Sequence, residues 1–177
     1  MNRRLAEGLE LKLERQAPPI VAAVVALGAN LGDRKATLDA AIDALAALPL
    51  VEDVRASDLI ESVAVTLDGP DAAAPAYLNA VAVLRTRLAP SVLLGYLHAI
   101  EDRYGRERKE RWGDRTLDLD LIAYGDVRSD DPDVTLPHPR AAEREFVLAP
   151  WLSIDPDAQL PGEGRVADVL ARLRRAS

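Results

Sequence analysis

Two aspartates separated by one residue, Asp118 and Asp120, are the side chains of this sequence best suited to binding a metal ion. Leu117, Leu119 and Leu121 occupy the alternate positions, and this alternation predicts a β-strand. Both carboxylates would then share one face, with Cα atoms roughly 6.6 Å apart. Mg²⁺ commonly takes one or two carboxylates and completes its octahedron with water and phosphate oxygens. Considered alone, however, such a pair is more typical of a solvated strand face.

A cluster of basic residues directly before the aspartates favours a phosphate ligand. Its members are Arg106, Arg108, Lys109, Arg111 and Arg115. Guanidinium groups bind phosphate oxygens in a bidentate manner, so cations beside two carboxylates fit a complex of metal and polyphosphate. A solvated loop is the alternative, because acidic residues at 107, 110 and 114 offer local pairing. Trp112, a large aromatic in this polar stretch, favours a loop that closes over a ligand.

Histidine, tyrosine and asparagine occur at positions that suit ligand binding. His138 lies between two prolines, which hold its backbone extended, and Arg140 and Arg144 follow it. A phosphate contact and a structural role are comparably compatible with that setting. Tyr77 and Asn79 share one face of a predicted strand, where a ring can stack and an amide can match the edge of a heterocycle. Considered alone, these two residues are more typical of a solvated sheet margin.

The composition excludes several classes of protein. With 22 basic and 29 acidic residues, the net charge of −7 argues against broad binding to nucleic acid. The lack of cysteine and the presence of only two histidines exclude disulfide scaffolds, thiolate sites and multi-histidine zinc sites. Neither a signal segment nor an apolar run of about 20 residues is found, which predicts a cytoplasmic protein with no membrane partner.

Hydrophobic periodicity predicts the elements that position these residues. The predicted strands cover 20–27, 51–61, 77–86 and 115–124. Of the predicted helices, the first ends before Pro49, the second runs from Pro90 to Gly105, and two more cover 141–149 and 166–174. The first strand is a continuous apolar run, which is typical of a strand buried on both faces. Residues 66–75, rich in glycine, proline and aspartate, predict a loop.

This order predicts an α+β fold, a ferredoxin-like sandwich (βαββαβ) with one antiparallel sheet and extra C-terminal helices. The two helices between the strands would cover one face of the sheet and leave the other face for a ligand. The domain is predicted over residues 18–177. Residues 1–17 are charged and meet Pro18-Pro19, which predicts a tail or linker.

Four segments together resemble the 6-hydroxymethyl-7,8-dihydropterin pyrophosphokinase family of folate biosynthesis. The most specific is Arg-Trp-Gly-Asp-Arg-Thr-Leu-Asp-Leu-Asp, from Arg111 to Asp120. The others occur in the family's order: Gly-Ala-Asn-Leu-Gly at 28–32, Tyr-Leu-Asn-Ala at 77–80, and Leu-Pro-His-Pro-Arg at 136–140 with Arg144 and Phe146 after it. The resemblance covers about residues 20–160 and implies the ferredoxin-like fold.

The resemblance also implies a reaction and a set of site residues. A pyrophosphoryl group would pass from ATP to the hydroxymethyl group of the pterin, leaving AMP. Two Mg²⁺ ions would be held by Asp118 and Asp120, and the implied catalytic group is completed by Arg106 and Arg115. The implied nucleotide-side residues are His98, Glu101, Arg108, Trp112, His138 and Arg144, and the implied pterin-side residues are Tyr77, Asn79 and Phe146. The resemblance further implies a monomer.

Two other classes stay open at this point. One is a homologue that binds pterin or nucleotide without catalysis, since Glu61 to Val65 departs from the family's Thr-x-Pro-like turn. The other is an RNA-binding module with the same fold, because fold alone does not fix function. RNA binding would need exposed aromatics and a basic face, whereas aromatics make up only 4% of this acidic chain.

Overall fold

A five-stranded antiparallel sheet organises the computed structural model, which describes residues 17–62, 64–66, 69–71, 75–104 and 116–176. The strands are β1 (Val21–Ala29), β2 (Val51–Ala56), β3 (Ile60–Ser62), β4 (Ala64–Thr66), β5 (Gly69–Asp71), β6 (Tyr77–Thr86), β7 (Asp118–Tyr124), β8 (Ser129–Asp131), β9 (Val134–Leu136), β10 (Gln159–Leu160) and β11 (Gly164–Arg165). The helices are α1 (Arg34–Ala46), α2 (Pro90–Arg103), a 3₁₀ turn (Ala141–Glu143), α3 (Glu145–Ile154) and α4 (Val166–Ala176).

The strand order confirms the predicted ferredoxin-like sandwich. The sheet runs β2-β6-β1-β7, all neighbours are antiparallel, and β3 also pairs with β6. With α1 and α2 as the crossovers, this is the βαββαβ arrangement. Among the described residues, no helix is long and apolar enough to cross a membrane.

The first face of the sheet carries the core that the sequence periodicity predicts. Leu27 of β1 is buried there against the apolar stripes of both crossover helices. The buried stripe residues are Leu38, Ala41 and Leu45 on α1, and Leu93, Leu97 and Ile100 on α2. Pro90 begins α2 from its first turn, where the missing N–H costs no helical hydrogen bond. Burial of these stripes holds both helices on this face.

The second face is covered over part of its length, which narrows the prediction that it is free for a ligand to the uncovered end. Val24, Val81 and Ile122 form a second buried cluster with Trp151 of α3 and Leu170 of α4. The continuous apolar run of β1 requires such a cover, because its inward and outward residues are both hydrophobic. The C-terminal helices supply it over one end of the sheet.

The predicted strand over 51–61 is interrupted in the structure. Ala56 pairs with Ala82 and Ile60 with Asn79, so four steps on one strand face three on β6. At this bulge Ser57 replaces the regular ladder, since its N–H donates to the Val81 carbonyl and its Oγ accepts from the Val81 N–H. The buried hydroxyl thus has a hydrogen-bond partner. Hydrophobic alternation in the sequence does not indicate that a side chain takes the place of a backbone group here.

Two further segments differ from the prediction. The stretch expected to be a loop over 66–75 includes β5, which forms a hairpin with β4 just before it, and Pro70 pairs there with Val65. Hairpin pairing is local and depends weakly on strand propensity, so a Gly- and Pro-rich segment is compatible with it. The helix expected over 141–149 is a 3₁₀ turn followed by α3, which continues past Pro150 to Ile154. Burial of Val147 and Trp151 favours that extension.

A buried carboxylate holds the outer edge of β7. Glu101, in the last turn of α2, is fully buried, and its Oε1 accepts a hydrogen bond of 2.9 Å from the Leu119 N–H. Leu119 lies between Asp118 and Asp120, and its own side chain is in the first core. A buried backbone N–H without an acceptor is costly, so this hydrogen bond is needed here. Glu101 therefore fixes the peptide that connects the two aspartates.

We expect Glu101→Ala to destabilise the protein by about 1–3 kcal/mol, because the buried Leu119 N–H loses its acceptor. Glu101→Gln keeps an amide oxygen of similar reach, so its free energy of unfolding should fall clearly less. Urea unfolding followed by circular dichroism measures both free energies. Equal losses in the alanine and glutamine variants would contradict this role of the acceptor oxygen.

Candidate active site

One cross-strand row of the sheet places an amide, a glycine and a carboxylate side by side. Gly28 of β1 pairs with Asn79 of β6 on one side and with Asp118 of β7 on the other. A Cβ at Gly28 would lie 3.4 Å from Asn79 Oδ1 and 3.6 Å from Tyr77 Cδ1. The missing side chain therefore leaves room between the two polar groups, as expected for a glycine within a strand at a ligand's approach.

Asp120, one row further along β7, faces two groups from the segment after β9. Arg144 Nη1 donates to Asp120 Oδ2 at 2.6 Å, and His138 Nε2 lies 3.8 Å from the same oxygen. All three side chains are largely but not fully buried, with exposed fractions of 16% for Arg144, 21% for His138 and 29% for Asp120. A pair in this setting is screened less than a surface pair.

The imidazole of His138 is held in one orientation. Its Nδ1 accepts a hydrogen bond of 3.1 Å from the Arg140 N–H, so a neutral ring carries its proton on Nε2, which faces Asp120. Burial lowers the pKa of His138 below its ordinary value; Asp120 opposes this shift, and the nearby Arg144 and Arg140 add to it. The neutral ring offers one N–H donor toward the acidic side chains.

The Asn79 amide is fixed by the neighbouring strand. Its Nδ2 donates to Ser62 Oγ at 2.8 Å and lies 3.4 Å from the Ile60 carbonyl oxygen, both on β3. With the amide nitrogen so engaged, Oδ1 is directed toward the space above Gly28. An acceptor oxygen held in place suits a ligand that presents N–H groups along one edge.

The remaining predicted site residues fall into three groups. Phe146 lies in the first turn of α3, and its ring centroid is 5.9 Å from the Arg144 guanidinium carbon, which places it beside the Asp120 group. His98 is exposed on α2, one turn before the buried Glu101. Four residues lie outside the described part of the chain: Arg106, Arg108, Trp112 and Arg115.

The two acidic side chains fit a hard divalent cation. They offer carboxylate oxygens on one face of β7, opposite the buried Leu119 and Leu121. In the described part of the chain, no three or more histidine, cysteine, aspartate or glutamate side chains gather into a metal-binding group. Two carboxylates alone suit Mg²⁺, whose remaining positions are filled by water and phosphate oxygens.

Two contributors to this site were not predicted. Gly28 was part of a motif at the first turn, but its position between Asn79 and Asp118 depends on the strand order. Ser62 holds the Asn79 amide through a pairing of β3 with β6 that lies beyond the bulge at Ser57. A glycine inside a strand pattern is the one local signal that pointed to close approach here.

Comparison with known proteins identifies the family of this chain. The chain matches the family model described as 7,8-dihydro-6-hydroxymethylpterin-pyrophosphokinase (HPPK) over residues 24–156. A Synechocystis protein named 2-amino-4-hydroxy-6-hydroxymethyldihydropteridine pyrophosphokinase is 43% identical over 143 residues, 81% of this chain and 71% of the relative. A Pseudomonas aeruginosa protein of the same name is 42% identical over 147 residues, 83% of this chain and 88% of the relative.

Solved structures give the same fold at lower identity. The crystal structure of wild-type Plasmodium falciparum HPPK-DHPS with pterin and p-hydroxybenzoate superposes with a TM-score of 0.61 at 13% identity, over 91% of this chain and 45% of that one. This chain thus spans less than half of the Plasmodium falciparum chain. At that identity the likeness concerns the fold. The family match and the relatives at over 40% identity cover most of the sequence, and the chain belongs to the HPPK family.

Proposed function

We propose that this protein transfers a pyrophosphoryl group from ATP to 6-hydroxymethyl-7,8-dihydropterin, producing AMP and the pterin diphosphate. The observation that carries the proposal is the paired placement of Asp118 and Asp120. Asp118 shares a row with Gly28 and Asn79, while Asp120 faces Arg144 and His138. Acidic groups for a metal, cationic groups for phosphates and an amide for a heterocycle thus lie at one end of the sheet.

Asp118 and Asp120 would hold two Mg²⁺ ions, which when bound neutralise the triphosphate and orient it. The geometry that supports this assignment is the shared face of the two carboxylates and the braced peptide between them. Arg144, which contacts Asp120 directly, is placed to reach phosphate oxygens beside the acidic pair. The Nε2 proton of His138 faces the same place.

The residues outside the described ranges complete the proposed phosphate side. We assign Arg106 and Arg115 to phosphate contacts, and Arg108 and Trp112 to a segment that covers the nucleotide, on the strength of the family motif. His98, which is exposed on α2, is assigned to the nucleotide side from the family resemblance, whereas the fully buried Glu101 would support that side only through the Leu119 peptide that it holds. Several guanidinium groups around a triphosphate offset charge that builds on the departing AMP.

The acceptor substrate is assigned to the Gly28 end of the sheet. Tyr77 and Phe146 would stack on the two faces of the pterin, and Asn79 would accept from the N–H groups of its edge. Binding on this side would bring the hydroxymethyl oxygen toward the β-phosphorus. A bond forms between them as the bond from the β-phosphorus to the bridging α-phosphate oxygen breaks.

The rate would come mainly from positioning and charge neutralisation, because phosphoryl transfer needs little covalent assistance. Asp118 is the carboxylate nearest the proposed acceptor site and would assist only weakly in removing the hydroxyl proton, since a metal ligand is a poor base. The cytoplasmic location and the monomeric state stay predictions from the sequence.

The proposed reaction is tested by pterin-dependent release of AMP. With ATP, Mg²⁺ and hydroxymethyl dihydropterin, we expect AMP and pterin diphosphate in equal amounts, resolved by chromatography. Omission of Mg²⁺ or of the pterin should abolish both products. Tight binding of ATP without any pterin-dependent AMP would instead identify a homologue that binds its ligands without catalysis.

Asp120→Asn should lower turnover at least about 100-fold, because it removes a negative charge from the proposed metal site. The amide keeps the shape of the side chain but loses the charge opposite Arg144, so we expect a lower thermal midpoint in a protein that is still folded at the assay temperature. Asp130→Asn, on the exposed hairpin strand β8, is the matched control and should leave the rate unchanged. A folded Asp120→Asn protein with normal turnover would be incompatible with the proposed role.

Gly28→Ala should fold normally, since the added methyl meets Asn79 and Tyr77 at ordinary van der Waals distances. It narrows the proposed pterin site, so we expect the KM for the pterin to rise by about tenfold while the KM for ATP stays within about twofold. Gly95→Ala, on an exposed part of α2 with no neighbour within 4 Å, is the control. An unchanged pterin KM in the Gly28 variant would place the pterin elsewhere.

A further inference from the structure

Arg34 connects the start of α1 to β3 and to the residue that precedes β6. It is the first residue of α1, and its two terminal nitrogens reach different acceptors. Nη1 donates to the Ala76 carbonyl oxygen at 2.6 Å, and Nη2 donates to Glu61 Oε1 at 3.0 Å. These acceptors are 42 and 27 residues away in sequence, so the contacts are tertiary.

Both acceptors adjoin residues that form the proposed site. Ala76 is the residue before Tyr77, the first residue of β6, and Glu61 is the residue before Ser62. Ser62 pairs with Tyr77 in register and accepts the hydrogen bond from the Asn79 amide. Any movement of Glu61 or Ala76 would therefore displace the aromatic ring or the amide-holding hydroxyl.

The other end of this connection is equally close to the site. The α1 helix begins five residues after Ala29, the last residue of the strand that carries Gly28. Asp33 Oδ1 accepts from the Ala36 N–H and so fixes the first turn on which Arg34 is mounted. One guanidinium thus joins the first turn of α1 to the residues beside Tyr77 and Ser62.

We propose that Arg34 is a positioning residue for the acceptor substrate: it holds the end of β3 and the start of β6, which carry Ser62 and Tyr77, against the first turn of α1. This inference rests on the proposed function, because it takes the space beside Gly28 and Asn79 as the pterin site. Arg34 acts through Ala76 and Glu61 and is not assigned a contact with substrate. Its effect should therefore fall on pterin binding and not on ATP binding.

The chemistry of the contact separates it from an ordinary surface ion pair. Only the Glu61 arm is an ion pair, with 64% of that side chain exposed, whereas 31% of the Arg34 side chain is exposed. The other arm goes to a backbone carbonyl, and a planar guanidinium serves both acceptors at once. A lysine ammonium is a compact point charge that lacks this fork, so Arg34→Lys is not a conservative change.

The neighbouring residue supplies a matched control. Lys35 forms an ion pair with Asp39 four residues along the same helix, and the two side chains are 70% and 51% exposed. That pair lies within α1 and connects no other element. Lys35→Met removes the same charge from the same helical turn without touching the link to β3 or β6.

The experiment compares Arg34→Met, Arg34→Lys and Lys35→Met with the unmodified protein. Steady-state kinetics give both KM values, and pterin fluorescence with Mg²⁺ and a non-hydrolysable ATP analogue gives the pterin Kd without turnover. For Arg34→Met we expect the pterin KM and Kd to rise by about tenfold, as for loss of a charged hydrogen bond, with the KM for ATP within about twofold. The pterin KM and Kd of Arg34→Lys should lie between those of Arg34→Met and the unmodified protein. Those of Lys35→Met should match the unmodified protein.

A folded Arg34→Met protein whose pterin Kd is unchanged, or whose ATP and pterin constants rise together, overturns the inference. If Arg34→Met is unfolded at the assay temperature, Arg34→Lys decides by the same two constants. The arm with unmodified protein tests the proposed function separately. Absence of pterin-dependent AMP there, with pterin still bound and weakened about tenfold by Arg34→Met, would refute the activity and support the positioning role.

Discussion

The pairing of β7 with β1 is the constraint on which the site depends. Because β7 alternates leucine and aspartate, the register with β1 decides that the leucines enter the first core and that both carboxylates face the other way. The same register sets Asp118 opposite Gly28. A shift of one residue would bury two aspartates in a hydrocarbon core, at a cost far above the stability of a domain this size. Burial of the leucines thus determines which way the two carboxylates face.

The charge of the whole chain does not favour an anionic ligand. A net charge of −7 would repel a polyphosphate at long range, although salt screens that repulsion beyond about 8–10 Å. Within the site, Asp120 is already compensated by Arg144, and the pKa of His138 is lowered mainly by burial. Recognition of an anion here depends on the nearby cations and on the metal ions we propose, and the field of the whole protein contributes little.

How much the sequence predicts differs between the two faces of the sheet. Periodicity gave both crossover helices and their buried stripes, because Leu38, Leu45, Leu93 and Leu97 repeat at helical spacing. The leucine–aspartate alternation likewise gave the common face of the acidic pair. Each of these signals is carried by residues close together in sequence.

Features that depend on distant residues were not predicted. The bulge at Ser57 exists because a hydroxyl from one strand can satisfy an amide of another, and a polar residue in a strand pattern has many alternative explanations. The cover over the second face depends on how α3 and α4 fold back onto Val24 and Val81. Motif resemblance supplied the site residues; the rows that join Asn79 to Gly28 and Asp118 required the strand order.

Another irregularity, in the pairing of β1 with β7, fixes the number of residues between the acidic pair and Tyr124. Val25 pairs with Leu121 but Val24 pairs with Ala123, so β7 contains one extra residue at Ile122. Tyr124 is an even number of positions from both aspartates and would share their face in a regular strand. Because of the extra residue it lies on the opposite face, where its hydroxyl donates to the Leu88 carbonyl oxygen. Inserting or deleting one residue between the acidic pair and this tyrosine would therefore change which face one of them lies on. Either the Tyr124 hydrogen bond or the orientation of the carboxylates would be lost.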